Sequence, residues 1–199
     1  MTHTEKIFVL RTFKHGESDL IVHGLNSVGA RMGFIAKGGL KSKKRFAGGI
    51  LEPTHYIEVT YKQRHVTGDS DPLHLLMEAR LLREFPRLRT DYDRLEAALY
   101  MLQLVHQVGQ QGVVDSSDLF NLLGNALQAA ETSEALENLK LHFDLKLLAA
   151  QGVLPGHPSF TPWLQTGLAQ HGQLRTEGDE RRWLVTQAHA HLRHYLGQI

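Results

Sequence analysis

The hydrophobic pattern of this 199-residue chain changes period once, at about Pro72. Before that point, short apolar runs alternate with polar residues between glycine-containing turns, which is typical of β-strands. After it, apolar residues recur every three or four positions, which is typical of amphipathic helices. The sequence therefore predicts an α+β protein of two domains, a β-barrel over residues 1–79 and an α-helical bundle over residues 80–199.

Four strands are predicted in the first part of the chain, over residues 7–10, 19–25, 31–37 and 51–61. The turn signals between them are Lys14-His15-Gly16, Ser27-Val28-Gly29, Gly38-Gly39 and Gly48-Gly49. Several short strands without long helices between them favour a small closed barrel. A wide loop is predicted over residues 38–48.

A helical pattern is predicted to begin near Pro72 and to stop at Pro86. The apolar residues that fit this helical spacing are Leu75, Leu76, Ala79, Leu81 and Leu82. Four further helices are predicted around residues 92–105, from Ser116 or Ser117 to Leu127, over residues 136–152 and over residues 184–195. Residues 153–178 form an irregular segment rich in Gly and Pro.

The sequence shows none of the usual signals for export or membrane insertion. No apolar run reaches the roughly 18 residues that cross a bilayer, and the N-terminus lacks the pattern of a signal peptide. The chain contains no cysteine, which excludes disulfides, thiol catalysis and Cys-based metal sites. These features together predict a cytoplasmic protein.

Charge is distributed unevenly. Residues 1–80 hold 12 Lys and Arg against 8 Asp and Glu, whereas residues 81–199 hold 10 against 13. The window between Asp19 and Glu52 has no acidic residue and six basic ones: Arg31, Lys37, Lys41, Lys43, Lys44 and Arg45. Because a phosphate backbone is bound by several cations without competing carboxylates, this window predicts nucleic-acid binding. The alternative is a solvated basic loop.

Two phenylalanines, Phe34 and Phe46, flank the wide loop. An exposed ring there would stack on a base without reading its sequence, as in OB-folds that hold single strands. A ring near the start of a strand is more often part of the core. The sequence leaves both roles open, and it does not separate DNA from RNA as the ligand.

No catalytic motif emerges. Residues 33–38 have the spacing that opens a P-loop, but Gly39 and Leu40 stand where Lys and Ser/Thr are required. Two acid pairs lie where aspartate is typical of turns and helix caps: Asp69/Asp71 and Asp91/Asp93. We therefore expect no enzymatic activity and no cofactor.

Histidines are numerous, and three cluster near the C-terminus: His189, His191 and His194. The first two point in nearly opposite directions on a helix, and no carboxylate lies among the three. We interpret them as a solvated helix face and predict no metal site there. His106 falls on an apolar helix face and is predicted to be a core histidine.

Short motifs follow one another in a fixed order through residues 5–155. Those of the first part are Ile7-Phe-Val-Leu-Arg11, Gly16-Glu-Ser-Asp19, Gly29-Ala-Arg31, Ala36-Lys-Gly38, Lys41-Ser-Lys43, Arg45-Phe46 and Leu51-Glu-Pro53. Those of the second part are Glu78-Ala79, Asp91-Tyr92, Phe143-Asp-Leu-Lys-Leu-Leu148 and Gly152-Val-Leu-Pro155. Each motif is weak alone, but their order and spacing together resemble the bacterial recombination mediator family RecO.

The resemblance implies an OB-fold followed by a helical domain, acting in DNA repair and recombination in the cytoplasm, at the nucleoid. It implies binding of single- and double-stranded DNA, annealing of complementary strands, and loading of RecA with RecR onto DNA coated by the single-strand-binding protein SSB. The DNA contacts that it predicts are Arg11, Arg31, Lys37, Lys41, Lys43, Lys44, Arg45 and Phe46.

The resemblance also has one departure. Many RecO proteins carry a four-cysteine zinc site after the segment that matches residues 152–155. Residues 156–175 contain no cysteine, and His157 and His171 cannot form a tetrahedral zinc site by themselves. We therefore predict no zinc site in this chain.

A contact with SSB is predicted in the helical domain. SSB proteins typically end in an acidic tail with a terminal phenylalanine, which needs an apolar pocket and nearby cations. Lys140, Phe143 and Lys146 share a predicted helix and are the candidate contacts. The alternative is a solvated helix face over the bundle core.

Three hypotheses about function remain at this point. The leading one is a DNA-annealing recombination mediator. The second is a generic OB-fold RNA-binding protein, and the third is a histidine-dependent metalloenzyme.

Overall fold

The computed structural model describes residues 1–64, 72–109 and 117–197. The strands are β1 (Thr2–His15), β2 (Asp19–Asn26), β3 (Arg31–Ala36), β4 (Tyr56–Lys62) and β5 (Leu73–Arg83). The helices are α1 (Tyr92–Val108), α2 (Ser117–Ala130), α3 (Leu136–Ala150), α4 (Thr161–Gln165) and α5 (Gly178–Leu196). Short 3-10 helices lie at Ala47–Gly49, Pro86–Arg89, Pro158–Phe160 and Leu168–Gln173.

The five strands form a closed barrel in the order β1-β2-β3-β5-β4, and the pairing of β1 with β4 closes it. The β3–β5 pair is parallel, and the other pairs are antiparallel. The predicted fold class, a small β-barrel followed by helices, is confirmed. Four strands begin or run where the alternating pattern predicts them.

The prediction of a helix beginning near Pro72 is wrong, because this segment is the strand β5. Two register shifts interrupt the pairing of β5 with β4. Tyr61 pairs with Leu76 whereas Thr60 pairs with Glu78, which leaves Met77 as an extra residue. Each such bulge breaks the two-residue alternation, so the apolar residues of β5 acquire a spacing that resembles a helix.

The chain divides into two compact units. One comprises residues 1–85 and 102–120, and the other comprises residues 86–101 and 121–199, so the division passes through α1 and α2. The core of the first unit is the barrel interior. Its buried members are Ile7, Val9, Val22, Phe34, Ala36, Phe46, Leu51, Ile57, Val59, Tyr61 and Leu76.

The second unit contains its own apolar cluster. The buried members are Leu141, Leu145, Phe160, Trp163, Leu184 and Ala188, contributed by α3, α4, α5 and the turn before α4. The segment over residues 153–178, predicted to be irregular, thus contains α4 and two 3-10 helices. Gly152, predicted to end the preceding helix, has a φ of +70° one residue after the C-cap of α3.

One helix cap that the sequence predicts is formed in the structure, at the start of α1. The Asp91 carboxylate accepts a hydrogen bond from the Arg94 amide at 3.1 Å, at the start of α1. Asp69, Asp71 and Ser116 lie outside the described residues. Among the helices that the structure describes, none combines the length and apolar character needed to cross a bilayer.

Candidate nucleic-acid interface

The segment over residues 37–45, which we call the basic loop, follows β3 directly. Its first turn is held by Asp19, the first residue of β2, because one carboxylate oxygen accepts a hydrogen bond from the Gly38 amide at 2.7 Å. Gly38 has a φ of +64°, a conformation that favours glycine. The Leu40 amide donates to the Ser18 carbonyl at 2.9 Å. The loop therefore leaves the barrel in a fixed direction.

The far end of the basic loop is fixed by Arg45. Its guanidinium Nη2 donates to the Lys37 carbonyl at 2.7 Å, which joins the two ends of the loop. Its amide donates to the Ser42 hydroxyl at 3.2 Å, and its carbonyl accepts from the Ala79 amide of β5 at 3.2 Å. These bonds anchor the loop to the barrel at both ends.

The lysine side chains of the basic loop face solvent. Lys37, Lys41, Lys43 and Lys44 are all exposed. Within the described ranges, none of the four forms an ion pair with a carboxylate. The loop thus combines a fixed backbone with several uncompensated positive charges, which is the arrangement that attracts a phosphate backbone.

Arg11 lies on the outer surface of β1 and is exposed. Its guanidinium carbon lies 5.3 Å from the centre of the Phe13 ring, within the range of a cation–π contact. Phe13 is 37% exposed and is the one large aromatic side chain besides Tyr92 that the described residues present at the surface. Sequence reasoning missed it because the first strand was predicted to end at Leu10, before Phe13.

Arg31, at the start of β3, is half-buried and differs from the loop lysines. Its guanidinium Nη1 donates to the His106 carbonyl at 2.7 Å. The His106 ring lies parallel to His23, with Nε2 2.7 Å from the Nδ1 of His23. Burial, together with the charges of His23, Arg31 and Arg11, lowers the pKa of His106 to about 4. Arg31 therefore contributes to packing as well as to the charge of this surface.

Both phenylalanines that flank the wide loop are buried. Phe34 is fully buried and Phe46 is 4% exposed, and both belong to the barrel core. The Arg45 guanidinium covers the Phe46 ring at 5.0 Å. The structure thus favours the core role for both rings, and Phe46 has no exposed face on which a base could stack.

The candidate SSB contacts on α3 are engaged within the second unit. Phe143 is fully buried. The Lys140 ammonium donates to Glu96 at 3.2 Å and to Glu137 at 3.5 Å, and the Lys146 ammonium donates to the Leu164 carbonyl at 2.8 Å. These contacts give α3 a structural role, and Phe143 offers no open apolar surface for a partner ring.

The two histidines of residues 156–175 are committed to local hydrogen bonds. His157 Nδ1 accepts from the Ser159 amide at 3.2 Å. His171 is buried, with Nε2 2.7 Å from the Ser133 hydroxyl and Nδ1 2.8 Å from the Leu168 carbonyl. In the described part of the chain, no group of three or more His, Cys, Asp or Glu is placed to hold a metal ion.

A closed five-stranded barrel with one parallel pair, followed by helices, defines the class of two-part proteins that join an OB-like barrel to a helical region. The family model described as Recombination protein O N terminal matches residues 1–74, and the one described as Recombination protein O C terminal matches residues 89–156. The chain belongs to the RecO family of DNA repair proteins.

Individual relatives agree with this assignment, and each is named DNA repair protein RecO. The one from Alkaliphilus metalliredigens is 30% identical over 92% of this chain and 70% of its own length. Those from Syntrophus aciditrophicus and Syntrophobacter fumaroxidans are 30% and 34% identical, each over 77% of this chain. The matched part covers 57% and 58% of those two relatives, so the chain spans little more than half of their length.

Proposed function

We propose that this chain binds single- and double-stranded DNA through the basic loop and the neighbouring barrel surface, and that it anneals complementary strands. Acting with RecR, it would help RecA to load onto DNA coated with SSB. The proposal assigns binding and annealing to the chain and no covalent step. Membership of a DNA repair family supports this function over RNA binding and over a metalloenzyme.

One observation carries the proposal. The basic loop is fixed at both ends by Asp19 and Arg45, whereas its lysines are exposed and have no ion-paired carboxylate among the described residues. Annealing requires that two strands be held by their backbones while their bases remain able to pair. Exposed lysines on a fixed loop neutralise phosphates without contacting base edges, so they suit this requirement.

Annealing of two complementary oligonucleotides, bare or coated with SSB, tests the proposal directly. The full chain should accelerate annealing of both, and replacement of Lys41, Lys43 and Lys44 by alanine should remove most of the effect. A matched control replaces three exposed lysines elsewhere on the barrel by alanine, namely Lys6, Lys14 and Lys62. The control should retain annealing because it removes the same charge from another surface.

Two results would contradict the proposal. Equal losses in the loop variant and in the control would show a general effect of charge rather than a site. Faster annealing of RNA strands than of DNA strands, with binding to RNA tighter than to DNA, would favour the generic RNA-binding alternative. Addition of RecR and RecA to the SSB-coated strands then tests the loading step separately.

A further inference from the structure

The first half of α1 presents two apolar side chains to solvent. Tyr92 is 81% exposed and Leu99 is 42% exposed. They are seven residues apart, which is close to two helical turns, so they lie on the same side of the helix. Both belong to the second unit. A partner that covered them would remove apolar surface from water, which is favourable.

Carboxylates border these two side chains. A hollow of about 560 Å³ lies where the start of α1 meets the start of α3. It is lined by Arg94 and by five acidic residues: Asp91, Asp93, Glu96, Glu134 and Glu137. Glu96 lies on the same side of α1 as Tyr92 and Leu99, four residues after the one and three before the other. We call Tyr92, Leu99 and these five acidic residues the α1 face.

The acidic residues of the α1 face are only partly neutralised. The Lys140 ammonium is shared between Glu96 and Glu137, and Arg94 lies 3.8 Å from Asp91. Two cations against five carboxylates leave a net charge of −3. A surface of this sign repels a phosphate backbone and attracts a protein segment that carries several lysines.

Two of these acidic residues are open to such a segment. Asp93 and Glu134 are exposed, and neither forms an ion pair within the part of the chain that the structure describes. They come from the starts of α1 and α3, on the two sides of the hollow. The α1 face therefore combines available negative charge with exposed apolar side chains.

The basic loop of this chain offers the complementary features. Its four lysines are exposed and have no ion-paired carboxylate among the described residues. Leu40, between Lys37 and Lys41, is 50% exposed although its amide is held by the Ser18 carbonyl. Since the backbone of the loop is fixed at both ends, docking would cost little conformational entropy.

We propose that the α1 face of one copy receives the basic loop of a second copy. The loop lysines would pair with Asp93 and Glu134, and Leu40 would pack on the exposed side chains of Tyr92 and Leu99. The inference goes beyond the proposed function, because it depends on the charge of the loop and not on annealing. Since DNA would need the same lysines, a bound strand and a second copy exclude each other, and self-association holds the chain in a form that DNA releases.

Sedimentation velocity of the full chain over a range of concentrations tests the association. We expect the average mass to rise with concentration in about 0.1 M salt. The association should weaken at least about tenfold in about 1 M salt, because the Debye length falls from roughly 10 Å to roughly 3 Å.

Two variants with reversed charges test the two surfaces. The first is Asp93→Lys with Glu134→Lys, and the second is Lys41→Glu with Lys43→Glu. Each alone should stay monomeric where the wild type associates, because its loop and its α1 face then carry the same sign. A mixture of the two should form a one-to-one complex, since the unchanged loop of the first fits the unchanged face of the second.

A matched control places the same charge change at the start of another helix. Glu177→Lys with Glu180→Lys, at exposed residues where α5 begins, should associate like the wild type. Leu40→Ala and Tyr92→Ala test the apolar part, and each should weaken self-association at least about threefold. Both side chains are exposed, so thermal melting should change little.

Three results would overturn the inference. A wild-type chain that stays monomeric at every concentration in low salt would do so and leave the proposed function standing. Self-association by the Asp93→Lys, Glu134→Lys variant, or no complex in the mixture, would place the contact elsewhere. A monomeric wild type that binds a synthetic peptide of residues 37–45, with no binding by that variant, would assign the α1 face to a basic partner other than a second copy.

Competition with DNA separates this inference from the proposed function. A 15-nucleotide strand should dissociate the complex, because it occupies the loop lysines. A complex that persists with the strand bound would overturn the mutual exclusion and move the DNA contacts of the proposed function off the basic loop. The Asp93→Lys, Glu134→Lys variant keeps its loop and should still bind the strand.

Discussion

The Asp19 carboxylate accepts a hydrogen bond from the Gly38 amide at 2.7 Å, across 19 residues of sequence. This acidic residue, the last before the acid-free window, therefore fixes the point where the basic loop leaves β3. Asp19 is the first residue of β2, which pairs with the end of β3 from which the loop leaves. The charge of Asp19 opposes DNA binding, whereas its hydrogen bond supports the geometry on which that binding depends.

Substitutions at Asp19 separate these two effects. Asp19→Ala should lower the free energy of unfolding by about 1–2 kcal/mol, because it leaves the Gly38 amide without its acceptor. It should also weaken single-strand binding, although removal of a negative charge by itself would strengthen it. Asp19→Asn keeps an acceptor and removes the charge, so it should bind DNA at least as tightly as the wild type.

Chemical denaturation and a binding titration at fixed salt measure both quantities. Tighter single-strand binding by Asp19→Ala than by the wild type would show that the charge dominates and that the hydrogen bond does not position the loop.

Salt dependence should report the number of loop cations that contact phosphates. Six cations of the acid-free window would give a slope of log affinity against log salt near −4, from about −0.7 per phosphate on a single strand. Arg31 is half-buried, whereas the four lysines and Arg45 are exposed, so a slope of about −3.5 is expected if only these five contact phosphates.

Replacement of Lys41, Lys43, Lys44 and Arg45 by alanine should flatten this slope by about 3, again at about 0.7 per cation, and weaken binding to all sequences alike. Titrations at four or five salt concentrations provide the slope, and the Lys6, Lys14 and Lys62 triple variant is the control. An unchanged slope in the quadruple variant would place the DNA contacts elsewhere on the chain.

Phe46 should behave as a core residue. Since it is 4% exposed and packs in the barrel core, Phe46→Ala should cost about 3–5 kcal/mol of unfolding free energy. Phe13→Ala should cost far less because this ring is 37% exposed, yet it should weaken single-strand binding if the ring stacks on a base beside Arg11. Thermal melting beside a titration distinguishes the two roles. A Phe46→Ala variant with unchanged stability and weakened binding would return this ring to the interface.

The elements that the sequence predicted correctly are those whose pattern is local. Strands β1 to β4 alternate between apolar and polar residues with glycine turns between them, and α1, α2, α3 and α5 follow three- and four-residue spacings. The pattern of β5 failed because bulges at its pairing with β4 interrupt the alternation, and a bulge depends on the partner strand rather than on the segment itself.

The candidate site shows the same division. The positive charge of the loop could be predicted because it requires only a count of basic and acidic residues. Its fixation could not be predicted, because the Asp19 bond joins residues that the pairing of β2 with β3 brings together, and the Arg45–Lys37 contact depends on the conformation of the loop.

Asp144 on α3 should make the stability of the second unit depend on pH. It is 1% exposed, and its two carboxylate oxygens accept from the Tyr100 hydroxyl at 2.9 and 3.0 Å. Burial raises the pKa of Asp144 to about 7 from 3.8, although the Tyr100 hydrogen bond and the Lys140 charge oppose the shift.

The sign of the effect follows from proton binding. Between pH 4 and 7 the folded chain holds a proton at Asp144 that the unfolded chain has released, so stability falls as pH rises through this window. The full cost, reached above pH 7, is about 4 kcal/mol, which is the free energy that corresponds to a pKa of about 7 in the folded chain against 3.8 in the unfolded chain. Asp144→Asn cannot ionise and should lose this dependence, while its amide oxygen can still accept from Tyr100.

Urea denaturation of both proteins from pH 4 to pH 8 measures the prediction. The difference in unfolding free energy, Asp144→Asn minus wild type, should rise by up to about 4 kcal/mol across the range, whatever constant offset the buried amide adds. Burial lowers the pKa of the neighbouring His142 to about 4, which opposes the trend below its ordinary value, but this contribution is common to both proteins and cancels in the difference. Asp93→Asn, at an exposed aspartate in the first turn of α1, is the control. Its unfolding free energy should differ from that of the wild type by about 0.5 kcal/mol or less at every pH. A difference that stays constant from pH 4 to pH 8 would mean that Asp144 is ionised in the folded chain throughout, with the Tyr100 hydroxyl and Lys140 compensating for its burial.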